Sequence, residues 1–458
     1  MRCHRWLMLC ACAVLAIAGW WVVRPEAMGA PDEPAATHPK SAQGVEQVDH
    51  GVPKAWTTAV DPKPLTGNVK KGLSWLLEHQ LPSGGWGQGE EAPGMRGGGV
   101  EPLRDQPNVA DTCVAALSLI RSGSTPTEGP YKDAIARAVR FVAGQVESSD
   151  TESLAVSGVT GTRVQQKLGP NIDTFLASLL LAEVKGKVAG ADTQRVNLAL
   201  DKVLDKIKRH QKEDGTFDGA GWAPVLAQAM CGKGINRAQQ AGAMVAPVVL
   251  ARAETSAKNA FAMSPAPAAG TVSGPATARS LAGGRAAVGA GAAGVELYDR
   301  AANLGVLQDS VNTNRSKLTE LRDKADKSKD VKEREEAKRE IVRIGEAEKV
   351  YDDAQKSVIE RLGDKQFTDG FGSNGGEEFL SYMNISESLV VKGGNAWKQW
   401  DASITNNLNH VQNEDGSWTG HHCITGRTFC TSAALLVLMA DRTPVPVESK
   451  GEGHAHAK

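Results

Sequence analysis

The sequence predicts an all-α fold, a ring of helix pairs interrupted by a charged helical hairpin, and three observations carry that expectation. Apolar residues recur at helical spacing in segments from near Asn68 to about Asp441, so no substantial sheet is expected. The pattern Q-x-x-x-G-x-aromatic occurs at Gln80–Trp86, Gln211–Phe217 and Gln412–Trp418, and Gln366–Gly370 repeats it without the aromatic residue. Second helices follow with similar openings, at Asp111-Thr112, Asp173-Thr174 and Thr431-Ser432, and are apolar on nearly every side. Alternation of amphipathic and fully apolar helices gives an α/α barrel, with about five pairs counted from the repeats.

The elements follow in order. Residues 1–23 open with Arg2 and Arg5 before the apolar stretch Trp6–Val23, the pattern of an export leader. Cleavage after Ala16-Ile17-Ala18 and retention of residues 6–23 as an inner-membrane anchor both remain open; each puts the folded part outside the cytoplasm, periplasmic or secreted. Residues 24–66, rich in Pro, Ala, His and Asp, read as a linker. The helical ring occupies 68–235 and 350–441, separated by a flexible Ala/Gly/Pro-rich insertion over 236–295 and a hairpin over 296–362. Apolar residues in the hairpin step by three and four (Leu297, Ala301, Leu304, Val311, Leu318, Leu321) between charged positions. It is expected to project into solvent, to be dispensable for the core, and to serve a protein partner if it has a role. Residues 442–458 are expected to be a disordered tail.

Bulk properties narrow the function. The 458 residues are 41% hydrophobic and 23% charged with a net charge of -1, so no general field draws nucleic acid. No P-loop, G-x-S-x-G elbow, H-E-x-x-H or dinucleotide fingerprint is present. Outside the leader the cysteines are Cys113, Cys231, Cys423 and Cys430. An oxidising compartment permits a Cys423–Cys430 disulfide; small buried side chains are the alternative.

Lys71-Gly72-x-x-Trp75-Leu76-x-x-x-Gln80 extends the first repeat upstream, and Arg137-Ala138-x-x-Phe141-Val142 is a degenerate copy. The full run resembles the QW motif of squalene-hopene and oxidosqualene cyclases. The resemblance implies the α/α toroid that those enzymes share with protein prenyltransferase β subunits. The cyclases start their reaction with a D-x-D-D acid, and none occurs here; Phe, Tyr and Trp make up only 5% of the chain. Classical terpene cyclisation is therefore not expected.

Three groups of residues offer chemistry. Similarity to the prenyltransferase β subunits implies a zinc ion held by the D-x-C of Asp111 and Cys113 with a distant His422. The plainer reading makes Asp111 a helix cap and Cys113 a core residue. Repeat register sets Glu377 and Glu378 at the height of His422, which suits an acid/base pair; the alternative is a capping box from Asn374 to Glu377. The polar run Gly420–Arg427 nominates His421 and Arg427, together with Asp173, as ligand contacts. The expected function is a pocket at one mouth for a small molecule, lipid, glycan or peptide. The enzymatic alternatives are a zinc-dependent transferase and a Glu/His lyase or hydrolase.

Overall fold

The computed structural model describes residues 56–92, 101–219, 221–263, 293–371 and 374–446. The leader, most of the linker and the tail beyond 446 lie outside the described residues, as do the calls made on them. Among the described residues, no helix is long and apolar enough to cross a membrane.

Helices dominate, as expected. They are α1 (Gly67–Glu78), α2 (Val109–Arg121), α3 (Lys132–Ser148), α4 (Arg163–Leu168), α5 (Ile172–Val184), α6 (Ala191–His210) and α7 (Pro224–Gln240). Then come α8 (Pro247–Met263), α9 (Ala293–Lys327), α10 (Val331–Arg361), α11 (Lys365–Thr368), α12 (Gly376–Lys392), α13 (Gly394–His410) and α14 (Arg427–Leu438). Strands β1 (Trp56–Thr58) and β2 (Pro444–Pro446) pair antiparallel.

Six helices form a closed cycle: α2 packs on α5, α5 on α7, α7 on α9, α9 on α12, α12 on α14, and α14 returns to α2. Their composition explains their place. Every residue of α5 is buried, as is the whole of α2 from Val109 to Leu119, so neither could face water. Amphipathic helices pack around them, α3 on α2, α6 on α5, α8 and α10 on α9, α13 on α12, and α1 on α14. Six outer helices thus accompany six inner ones, against the five pairs counted from the repeats.

The repeat fixes how one outer helix meets the next. Gln80 donates from its amide to Gly84 O and to Ala134 O in α3, both at 2.8 Å. Gln412 does the same to Gly416 O (2.8 Å) and to Asn68 O in α1 (2.9 Å), and Gln211 reaches Val249 O in α8 (3.2 Å). Trp86 and Trp418 are fully buried, and each indole N–H donates to a backbone carbonyl, Leu76 O or Leu408 O, at 2.8 Å. Gly84, Gly215 and Gly416 take φ of 89°, 84° and 91°, and a Cβ there would strike the backbone of Arg137, Arg252 and Lys71. Arg252 marks a copy in α8 that has no aromatic residue to announce it. Trp418 lies against Gly72, so the last repeat locks onto the first.

Five readings are revised or decided, the first being the insertion over 236–295, which holds the end of α7 and the whole of α8, packed on α9. Gln366 is exposed at the start of α11 and does not reproduce the repeat. The first half of the hairpin does not project: Leu297, Ala301, Leu304, Leu307 and Val311 are buried where α9 packs on α7 and α12. Its polar residues are buried too, because partners await them; Asn314 meets Glu254 at 2.9 Å and Asp309 meets Lys233 at 2.9 Å. Linker and tail residues pair as β1 and β2, and Lys63 N donates to Asp441 Oδ2 at 2.7 Å. Cys423 and Cys430 are free thiols, with Cys430 Sγ donating to Ile424 O at 3.4 Å.

Candidate acid-lined site

The inner helices begin at one mouth of the ring, and α12 and the loop before α14 bring the acid/base candidates together there. Helix α12 starts at Gly376 after an N-cap, Gly375, that makes no side-chain cap. The capping box from Asn374 is therefore not formed, and both carboxylates are available for other contacts. Glu377 Oε2 accepts from Ile424 N at 3.1 Å. Glu378 Oε2 lies 3.3 Å from His422 Nε2, while Glu378 Oε1 accepts from the Tyr298 hydroxyl at 2.6 Å. Cys423, between His422 and Ile424, is the single non-glycine residue of positive φ (55°) among the described ones. Its turn lets the backbone address Glu377 while the preceding imidazole addresses Glu378.

Both glutamates are fully buried, whereas His422 is about one-fifth exposed. Burial, then the neighbouring Glu378 charge, pushes Glu377 up to about 7, and its Oε1 has no hydrogen-bond partner. Burial likewise raises the Tyr298 hydroxyl, with Glu378 adding to the effect. Above this group sits an aromatic cluster. The Phe371 ring lies 5.9 Å from His422, 5.4 Å from Tyr298 and 5.3 Å from Trp222 between centroids. Trp222 is 50% exposed and Phe371 41%, unusual for side chains of this size beside a well-packed core.

Asp111 and Asp173 occupy the same mouth on α2 and α5. Asp111 is not the cap of α2; Asn108 is, and it also donates to Asp111 Oδ2 at 2.8 Å. Gln165 donates to Asp173 Oδ2 at 2.6 Å. Each aspartate leaves Oδ1 without a partner. Burial pushes Asp111 to about 7 and Asp173 to about 6, the Asp173 and Glu91 charges adding to the first. Cys430 lies close enough to Glu377, Asp111 and Glu378 that their charges, after burial, push its thiol further up.

The other predicted contacts fare differently. Among the described residues no group of three or more His, Cys, Asp or Glu could hold a metal ion, so Asp111, Cys113 and His422 do not assemble the zinc set. Cys113 is wholly buried in α2, its thiol pushed well up by burial. His421 is exposed and engaged through its backbone, its N–H donating to Asn374 O at 2.9 Å. Arg427 pairs with Asp415 at 2.6 Å and stands 3.6 Å from Glu90, so it braces the last repeat. Tyr298, Trp222 and Phe371 were missed; they come from three segments whose meeting depends on the unforeseen sixth pair.

No protein-family model matches the chain. One curated relative is the copalyl diphosphate synthase of Streptomyces anulatus, 29% identical over 182 residues, 39% of this chain and 25% of that protein. The match is partial and distant, spanning a quarter of the relative's length. It supports a terpenoid-cyclase-like relationship, in keeping with the helical fold.

Proposed function

We propose that the chain is an extracytoplasmic α/α toroid of the terpenoid-cyclase type that binds a ligand at its acid-lined mouth. The closed cycle of six inner helices, the glutamine links between outer helices and the partial relative support the fold. The apolar leader of residues 6–23 supports the location, which cell fractionation and N-terminal sequencing of the mature protein test.

One observation carries the binding reading: the Tyr298–Glu378–His422 chain of contacts lies directly beneath two half-exposed aromatic rings. Rings of this kind stack on the apolar face of a flat ligand, and the carboxylates accept from its hydroxyl or amine donors. A donor-rich ring with an apolar face is the chemistry of a glycan residue. Calorimetric titration with a panel of oligosaccharides should show saturable binding that Trp222→Ala and Glu378→Gln each weaken at least ten-fold. Equal binding by Glu378→Gln would remove this reading.

An enzyme remains the second reading, favoured by Glu377. A carboxyl group near 7 exchanges protons readily at neutral pH, and the adjacent Glu378–His422 pair provides a complementary base. A lyase or hydrolase of this kind should release product from the sugar that binds, and Glu377→Gln should abolish turnover while leaving binding intact.

A further inference from the structure

At the end of the ring opposite the acid mouth there is a cavity of about 270 Å³ among the late turns of the inner helices. Its walls are partly apolar, from Leu117, Ile120, Leu179 and Met383, and partly charged. Strand residues Thr58 and Pro444 complete it, so segments from both ends of the described chain help to form it.

The charges do not balance. Five cationic side chains line the cavity against two carboxylates, Glu183 and Glu387. Asp309, which meets Lys233 at 2.9 Å from behind, still leaves the cations two in excess. Arg121 and Lys233 share Glu387 at 2.8 and 2.7 Å, and Arg237 stands 3.4 Å from Glu183 with its guanidinium 4.5 Å over the Trp56 ring. Arg442 has no carboxylate among these partners. It donates from Nη2 to Lys63 O at 2.6 Å, and its buried Nε has no partner at all. Excess positive charge in a partly enclosed cavity draws an anion, and Arg442, with no carboxylate among these partners, is a guanidinium lining the cavity that can receive it.

We infer that this cavity is a second ligand site, separate from the acid mouth, which takes a small organic anion with an apolar body. The head group, carboxylate or phosphate, sits against Arg442 and its cationic neighbours, and the hydrocarbon part lies along Leu117, Ile120, Leu179 and Met383. Because β1 and β2 form part of the wall, the site exists only when the segment from Trp56 is docked.

Calorimetric titration of the full folded chain with hexyl phosphate, hexanoate, hexylamine and hexanol tests this. Saturable one-to-one binding of hexyl phosphate or hexanoate, with none of hexylamine or hexanol, is the expected result, and the tighter anion identifies the head group. Arg442→Gln should weaken the bound anion at least ten-fold, with part of the loss restored by Arg442→Lys. If Arg442→Gln fails to fold, Lys187→Met provides the same comparison at a partly exposed lining cation and should weaken binding several-fold. Glu378→Gln at the acid mouth should leave anion binding unchanged, which separates this site from the other. Binding of hexylamine as tight as that of the anions, no saturable heat with either anion, or full affinity in the folded arginine variant would overturn the inference.

Discussion

The two ends of the ring bury comparable numbers of ionisable groups and treat them in opposite ways. At the acid mouth, Asp111, Asp173 and Glu377 are buried beside one another with a carboxylate oxygen each left over. Their proton affinity rises because desolvation outweighs the hydrogen bonds, such as those from Asn108, Gln165 and Ile424, that partly offset it. At the far end, Glu387 is just as buried, and burial alone would raise it too, yet the Lys233 and Arg121 charges overcome that and hold it near 2. Burial is common to both ends; two cations outweigh it at Glu387, whereas at Asp309, where burial outweighs the Lys233 charge and Glu387 adds a like charge, the carboxyl is still pushed up. Groups left partly unsatisfied are poised to act on something that arrives, whereas saturated pairs hold structure together.

The largest effect should come from breaking the Glu387 ion-pair cluster at the far end. Glu387→Ala leaves Arg121 without its ion-pair partner and Lys233 with Asp309 alone, and losing one partner of a buried ion pair costs roughly 3–5 kcal/mol. Urea denaturation of the variant should show a midpoint lowered by that amount with little change in slope. A loss under about 1 kcal/mol would mean that water reaches the site and that the contrast with the acid mouth is false.

pH should then separate the ends. Glu377, Asp111 and Asp173 have folded-state values raised above the ordinary 4.5 and 3.8. The native state therefore holds protons that the unfolded chain has released, so their contribution is complete below about pH 4 and is lost as pH rises through 6 to 7. Each group adds a slope of up to about 1.4 kcal/mol per pH unit in that window. Glu387 acts in the reverse sense: its contribution is present above the ordinary 4.5 and disappears as pH falls toward 2. Stability measured from pH 4 to 8 should decline toward neutrality, and Glu377→Gln should flatten that decline.

How much of this was legible depended on whether the signal was local. The repeat was readable because Gln80, Gly84 and Trp86 act within one turn, and Gln412, Gly416 and Trp418 repeat them. Glu377, Glu378 and His422 were singled out by a register counted from Gln366, which is not a true copy; the Glu378–His422 contact comes from the start of α12 meeting the loop before α14. The far end gave no such sign. Lys233 shares a helix of mostly small residues with one other cation, Arg237, and its partners Asp309 and Glu387 lie 76 and 154 residues away. The buried half of α9 was misread because Arg300, Asn303, Gln308 and Asp309 suggest a solvated face. Only three-dimensional pairing makes such residues tolerable inside. Asp111 and Cys113 show the converse, since a D-x-C spacing alone brings no third ligand with it, and among the described residues no metal-binding group forms.

At the acid mouth, substitution of the rim should change function far more than stability. Trp222 is half exposed, so Trp222→Ala should lower stability by only about 1 kcal/mol, well below the cost of truncating a buried tryptophan. His422→Ala leaves Glu378 its Tyr298 partner and should also fold. Ligand affinity should fall at least ten-fold in both. Unfolding by either substitution would show the rim to be structural and would erase the contrast between the two ends.

The smallest effect is expected where neither end is touched. Beyond Arg315 the paired arms of α9 and α10 leave the ring, and their charges pair with each other at the surface, as in Lys324–Glu320 and Lys338–Glu335. Such exposed pairs add little to stability. Replacing residues 320–335 with a short turn removes the tip yet keeps Asn314, Arg343 and Glu254 joined at its base. The unfolding free energy of this variant extrapolated to water should stay within roughly 10% of the parent value, inside the uncertainty of that extrapolation. A cut that starts at residue 296 instead removes Leu297, Leu304 and Tyr298, opening the core and depriving Glu378 of its hydroxyl donor. That longer deletion should unfold the protein or erase the acid site. If both deletions were tolerated alike, α9 would not be an inner helix of the ring, and the acid mouth would have to be complete without it.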